Sequence, residues 1–442
     1  MPSSAPSAPQ TRLTPPGDLA GLLRRDDITA CWLRRGEGLV GLGERWRQSF
    51  ATPEAADAWW AERAAGWQRP AGAGTTALTG VEGAGPVAFV SFPFDPGHTR
   101  SRCQLIVPQV VVGRRGQTGW LTSWGDPPTG LGGGHRLAAA ESGATSGGPD
   151  RDRWPSGWDG RADNSDPASP GAVSLTPGAV DRPRWLAAVA QALDLIKAGQ
   201  LDKVVLARDE IGRAERTIRP GWLLDRLQAA YPDTWTFAVA GLIGATPELL
   251  VSRHRGRIAC RVLAGTIQRP SGVDAADLAQ ALSASAKDLA EHRFAVASVA
   301  QALAGLGCRP VVSPEPYVLR LPNVLHLASD LAATAPDTGS VIRLAAAIHP
   351  SAAVCGAPTD RAREAIRRLE GLDRGRYAGP VGWVGADGDG DIGLALRTGQ
   401  LLDDRRTIRL YAGGGIVAGS DPAQEWDETE AKLLPLRQAL RG

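Results

Sequence analysis

The sequence predicts an α+β fold, and three observations carry that expectation. Short apolar runs broken by Gly and Pro recur along the chain and read as strands joined by turns. Between them lie segments whose apolar residues recur at helical spacing. No internal repeat with a period of roughly 20 to 50 residues is present, which argues against a solenoid.

In chain order, the Pro/Ser-rich start, residues 1–17, is expected to be disordered. Residues 18–125 form the N-terminal part of the α/β fold, with strands in GPVAFVSFPFDPG (85–97) and CQLIVPQVVVGRRGQTGWLTSWG (103–125) and a helix around PEAADAWWAERAAGW. Residues 126–181 are rich in Gly, Ser, Asp and Pro and too poor in apolar residues to pack well, so they read as a long loop or linker. A third region, 182–442, opens with a helix in which Trp185, Val189, Ala192, Leu193 and Ile196 share a face and Gly199 supplies a stop. Strands alternate with turns over 234–268, and residues 284–307 read as one amphipathic helix ended by Gly305 and Gly307. A helix over 359–372 precedes two strands, GPVGWVG and DIGLALRTGQLL, joined by a Gly/Asp turn.

Composition narrows the function. With 43% hydrophobic residues in 442 the chain can bury a large core, and a net charge of +2 with scattered arginines leaves no nucleic-acid or membrane-surface footprint. Five cysteines, odd in number and without a CxxC pair, argue against a disulfide framework and a structural zinc site. The N-terminus lacks the pattern of a signal peptide and no apolar run approaches the ~20 residues of a membrane span, so the expected location is the cytoplasm.

Several motifs fail on inspection. ADGDGDIG imitates the start of a calcium loop, but Ile392 stands where Gly is needed and Thr398 where a bidentate Glu is needed, so a hairpin turn is expected. GGHRLAAAE and AGGGIVAGSD lack the GK[ST] of a P-loop and the GxGxxG of a dinucleotide fold. A stronger constellation lies at the C-terminus. Asp421 as N-cap, Pro422 at N1 and Gln424 at N3 start a helix on which Glu425, Glu428 and Lys432 share one face. Upstream, the glycines of YAGGGIVAG allow a ligand to approach the backbone closely. Glu291 is a further carboxylate, on the 284–307 helix. Carboxylates from different helices facing one cavity suit a hard cation such as magnesium. Lys203, in LDKVVLARDE, is a charged residue inside a run that otherwise reads as a buried strand, a costly placement unless it is paired or loses its proton.

The blocks LDKVVLAR, TPELL, LAGT, AKDLAEH, LPNVLHLAS, HPSAAVCGAP, DRGRYAGPVGW, LALRTGQL and AGGGIVAGSDPAQEWDETEAKL, in this order, resemble the chorismate-utilising enzymes. That family includes isochorismate synthase, salicylate synthase, anthranilate synthase component I and aminodeoxychorismate synthase. The resemblance is clearest from Trp185 to Leu440. It implies a large β-sandwich core surrounded by helices, with chorismate and Mg2+ bound in a cleft. It also implies that Glu291 and Glu428 hold the metal with Glu425 nearby. Tyr377, Arg397 and the backbone N–H groups of Gly413 and Gly415 would bind the enolpyruvyl carboxylate, Lys432 would reach a substrate carboxylate, and Gly265, Thr266 and His326 would line the ring.

In the water-using members a lysine matching Lys203 is the general base toward C2, and a glutamate matching Glu248 is the general acid for the C4 hydroxyl. An apolar strand and a nearby cation would favour the neutral amine, while a partly apolar site would keep Glu248 protonated. Lys203 favours water over ammonia as nucleophile, so no obligatory amidotransferase subunit is expected, and the chain is expected to act as a monomer. Ala264 stands where one type of aminodeoxychorismate synthase carries a nucleophilic lysine, and Ala353 where salicylate synthases tend to carry threonine. The VCG ending of HPSAAVCG resembles isochorismate synthases. Ser351 and Ala352 depart from their common Thr-Pro, and LAGTIQRP lacks their usual arginine. The expected reaction is Mg-dependent isomerisation of chorismate to isochorismate, with salicylate synthase or a catalytically silent chorismate binder as the alternatives.

Overall fold

The computed structural model describes residues 9–14, 17–67, 80–124, 168–269, 273–334 and 339–441. Every strand pairing among them is antiparallel. Two limbs of sheet diverge from the long pair Glu37–Phe50 and Cys103–Arg115. The first limb runs through Ile28–Arg34, Trp235–Val239, Leu242–Thr246, Thr398–Leu401 and Thr407–Val417 to Lys203–Ala214. The second runs through Val87–Ser91, Pro380–Gly385, Gly390–Leu394, Val251–His254 and Arg257–Gln268 to Val324–Thr334.

One apolar cluster joins the limbs face to face, with Trp32, Phe237 and Leu242 from the first against Phe89, Val381 and Trp383 from the second. The other side of each limb is covered by helices. Pro220–Ala230 and Pro422–Arg441 bury Leu227, Leu433 and Leu436 against Ile408 and Leu410. Arg182–Lys197, Ala286–Gly305, Val341–Ile348 and Thr359–Leu369 contribute Trp185, Val299, Leu344 and Ala362 to a second outer cluster. Each of the leucine, isoleucine and valine side chains among them is worth roughly 1.5–3 kcal/mol when fully buried. The β-sandwich surrounded by helices is therefore the architecture observed. Packed against Arg182–Lys197 and Thr359–Leu369, Lys203–Ala214 is buried along most of its length, in keeping with the apolar run at 204–207.

Local signals hold well. Asp421 Oδ1 accepts the N–H groups of Ala423 and Gln424 at the start of the last helix, and Pro380–Gly385 and Gly390–Leu394 form the expected hairpin. Ser285, expected inside the 284–307 helix, is instead its N-cap, and a separate helix, Ala275–Ala284, precedes it. Two boundaries need correction. Within the start expected to be disordered, Gln10–Thr14 is a strand paired with Thr118–Ser123. Within the expected 126–181 linker, Val173–Pro177 is a strand paired with Lys203–Ala214. Both add to a sheet edge through backbone hydrogen bonds and bury little side chain, so neither leaves an apolar pattern in the sequence. Residues 126–167 lie outside the described residues. All five cysteines are buried and unpaired. No helix among the described residues is long and apolar enough to cross a membrane.

Candidate active site

The two limbs and the helices Ala286–Gly305 and Pro422–Arg441 enclose a cavity. Of the residues singled out in the sequence, Glu248, Gly265, Thr266, Glu291, His326, Tyr377, Arg397, Gly413, Gly415 and Lys432 line it. Glu425 and Glu428 line an adjoining cleft that shares Thr266 with the cavity. Lys203 is fully buried behind the wall.

The strand carrying Lys203 pairs with Thr407–Val417 in a register that sets Gly415 opposite Val205 and Gly413 opposite Ala207. Val205 and Ala207 send their N–H groups to the far edge, to Cys355 O and Glu370 Oε1. Residues facing each other in such a pair both turn their backbone groups outward, so Gly413 and Gly415 present theirs away from the Lys203 strand. Glycine is required at Gly415 because of crowding: a Cβ there would lie 2.1 Å from Glu291 Oε1 and 3.1 Å from Lys203 Cε.

Lys203 Nζ stands 3.1 Å from Glu291 Oε1. The approach is that of an ion pair without an aligned hydrogen bond, which leaves the ammonium's donors otherwise unspent. The apolar strand suggested a lone amine; the fold instead supplies a carboxylate from a helix 88 positions later in the chain. Glu291 also accepts the Gly265 N–H at 3.1 Å. That N–H is available because the strand bulges between Ala264 and Thr266 and Gly265 takes φ +77°. Burial pushes the Glu291 carboxyl up, but Lys203 and Lys432 outweigh it and hold the group below its usual range.

Glu248 follows the strand Leu242–Thr246 and is 4% exposed. Burial pushes its carboxyl up to about 8, against the opposing effects of a backbone hydrogen bond at Leu263 and the charges of Lys203, Arg397 and Lys432. Near neutral pH Glu248 is therefore mostly protonated, an acid in the same cavity whose opposite acid, Glu291, is ionised.

His326 bridges Thr266 and Arg397, with Nδ1 3.0 Å from Thr266 Oγ1 and Nε2 2.8 Å from Arg397 Nη2. A guanidinium only donates, so Nε2 accepts and the neutral ring carries its proton on Nδ1, toward Thr266. Burial, then the charges of Arg397 and Lys432, hold His326 well below the usual imidazole range. Thr266 Oγ1, accepting from His326, keeps its own proton free to donate into the cavity. Arg397 itself sits at φ +48°, uncommon for a non-glycine residue, which aims the guanidinium inward between the limbs. Tyr377 stacks on Tyr411 with ring centroids 4.9 Å apart, and burial pushes its phenol up to about 12, so it acts as a neutral hydroxyl.

Every candidate metal ligand faces a lysine. Lys203 pairs with Glu291, Lys287 lies 2.8 Å from Glu425, and Lys432 pairs with Glu428 while donating to Gly413 O at 2.9 Å. Burial and then the charge of Glu428 raise the Glu425 carboxyl to about 7. Glu425 and Glu428 repel each other, a repulsion a cation would relieve, and hard carboxylate oxygens of this kind fit a magnesium ion. No group of three or more potential ligands is gathered together among the described residues.

Sequence reasoning passed over Lys287, Asp288 and Arg374. Lys287 and Asp288 stand four and three positions before Glu291 on one helix, a spacing that placed them on its face, and Asp288 accepts the Thr266 N–H at 3.3 Å. Arg374 lines the cavity and has no local signal beyond its place in DRGRYAG.

Residues 135–441 match the family described as chorismate binding enzyme. A salicylate biosynthesis isochorismate synthase from Pseudomonas aeruginosa is 39% identical over 269 residues, covering 59% of this chain and 56% of that protein. An isochorismate synthase from Bacillus subtilis is 38% identical over 266 residues, covering 57% of this chain and 66% of that protein. The chain thus spans less than two thirds of these curated relatives. Among solved structures, one described as a 2,3-dihydroxybenzoate-specific isochorismate synthase from Bacillus anthracis superposes with a TM-score of 0.72 at 28% identity, covering 96% of this chain and all of that one. With the match extending over most of its length and the cavity built from the matching blocks, the chain belongs to the chorismate binding enzyme family.

Proposed function

We propose that this chain is an isochorismate synthase that converts chorismate to isochorismate with water as nucleophile. The observation that carries the reading is the buried Glu248, whose carboxyl burial pushes up to about 8, sharing one cavity with the Glu291 carboxylate, behind which Lys203 lies 3.1 Å from Oε1. This charge separation suits a reaction in which one group takes a proton while another gives one.

In the proposed reaction, Lys203 acts in its neutral form, which would be favoured once the Glu291 carboxylate it pairs with is committed to a cation, and it removes a proton from water as the water oxygen adds to C2. The ring double bonds shift, and Glu248 donates its proton to the C4 hydroxyl as that group departs as water. One water enters and one leaves, and no electrons are exchanged with an outside redox partner. Arg397, with its planar fork, the Tyr377 hydroxyl and the outward N–H groups of Gly413 and Gly415 bind the enolpyruvyl carboxylate. Lys432 reaches a substrate carboxylate, and Gly265, Thr266 and His326 border the ring. Glu291 and Glu428, with Glu425 nearby, would hold Mg2+, whose chemistry when bound is to neutralise and anchor the ring carboxylate.

Product analysis tests the reading. Purified protein given chorismate and Mg2+ is expected to yield isochorismate that retains its enolpyruvyl group. Pyruvate released in step with chorismate loss would replace the proposal with a salicylate synthase. Chorismate binding without turnover at any Mg2+ concentration would replace it with a silent binder.

A further inference from the structure

The outer edge of the Lys203–Ala214 strand changes partner along its length. Gly356 and Ala357 pair with Val204 and Lys203, and Cys355 O accepts the Val205 N–H at 2.8 Å. Farther on, Val173–Pro177 pairs with Glu210–Ala214, and Gly178 donates to Asp209 O. Neither segment serves Val205 O or the Ala207 N–H. Those two groups are taken by side chains instead. Arg374 Nη2 donates to Val205 O at 2.6 Å, and Glu370 Oε1 accepts the Ala207 N–H at 2.8 Å.

The two side chains are bound to each other and nearly sealed from solvent, at 5% and 4% exposure. Arg374 also donates through Nη1 to Val354 O at 2.9 Å, and its guanidinium lies 4.2 Å from the Phe94 ring centre. Four of its five N–H donors are thus committed to protein acceptors, although the residue borders the cavity. A guanidinium so occupied is poorly placed to clamp a substrate carboxylate.

We propose that Glu370 and Arg374 act together as a side-chain stand-in for a missing strand, holding the backbone two to four residues beyond Lys203, and with it the base, at its working position. They are positioning residues, and this role rests on the isochorismate synthase reading for its catalytic consequence. The segment that pairs at Gly356 and Ala357 leaves the strand by Val354, which borders the cavity and gives its carbonyl to Arg374 instead. A buried ion pair fills both hydrogen-bonding sites without adding main chain.

The test is the double substitution Glu370→Met with Arg374→Met, which removes both charges at once and so leaves no lone buried ion. Isochorismate formation is expected to lose about tenfold or more in kcat with KM within about threefold, since small displacements of a reacting group are costly. Hydrogen exchange at Ala207, whose N–H Glu370 accepts, is expected to quicken by about tenfold, with the Pro422–Arg441 helix unchanged. Unchanged kcat, or a raised KM with kcat intact, would overturn the proposal, the latter marking Arg374 as a substrate ligand. Should the double variant fail to fold, Arg374→Lys, which keeps the charge but cannot span both carbonyls, is read by the same two measurements and same outcomes. Wild-type protein that forms no isochorismate refutes the functional reading separately, and the exchange rates then decide the positioning by themselves.

Discussion

Adding one methyl group at Gly415 is expected to abolish the proposed activity while leaving the chain folded. A Cβ at this position would fall 2.1 Å from Glu291 Oε1 and 3.1 Å from Lys203 Cε. Ordinary contact begins near 3.4 Å, so the carboxylate has to retreat by about 1.3 Å. The clash is with the end of a flexible side chain, and Gly415 is not among the residues at positive φ, so the alanine backbone itself is unstrained. Retreat stretches the 3.1 Å pair with Lys203 and the 3.1 Å bond from Gly265. A weakening of that buried pair should cost on the order of 1–2 kcal/mol, a fall of about 1–2 °C in Tm for a chain of 442 residues. Displacement by about 1 Å in a site of this kind lowers turnover by roughly 100-fold. The assays are initial rates with chorismate and Mg2+ alongside thermal denaturation. Gly415→Ala turning over within about threefold of wild type would refute the claim that Glu291 and Lys203 must keep this geometry.

Lys203→Met, which keeps the bulk but not the amine, is expected to lose roughly 100- to 10,000-fold in kcat, the usual worth of a general base; full activity would remove Lys203 from the mechanism. Glu248 links activity and stability to pH. Its folded carboxyl, raised from 4.5 to about 8, binds a proton that the unfolded chain has lost, so the associated stability is complete below about 4.5 and is lost as pH rises through about 8. Activity should decline over the same upper range. Glu248→Gln should therefore lose turnover yet melt higher than wild type at pH 8 to about 9, the opposite order refuting the assignment. Lys287→Met removes the counter-ion of Glu425, and calorimetric titration with Mg2+ should show binding tightened by several-fold. Unchanged affinity would separate Glu425 and Lys287 from the proposed metal site.

Local physics was legible directly. The cap at Asp421, the turn between Gly385 and Gly390 and the helical faces carrying Glu291 and Glu428 follow from contacts within a few residues, and the structure realises the cap and the turn as read. The edge strands Gln10–Thr14 and Val173–Pro177 escaped because their stabilisation is carried by backbone bonds to distant partners, which no side-chain pattern announces. The cavity was legible through the ordered blocks that resemble a family, and its distances were not.

What the sequence determined by itself was the set of elements and the chemical types available: a lysine in an apolar strand, acids on two helices, glycines where backbone must be approached. Tertiary structure decided how they meet. Only the sandwich brings Glu291 to 3.1 Å from Lys203, seals Glu248 so that its carboxyl stays protonated, and sets Glu370 and Arg374 into the gap in the Lys203 strand. The physical reason is range. Periodicity and capping act over three or four residues, whereas ion pairing and desolvation depend on surfaces that become neighbours only when both limbs have closed.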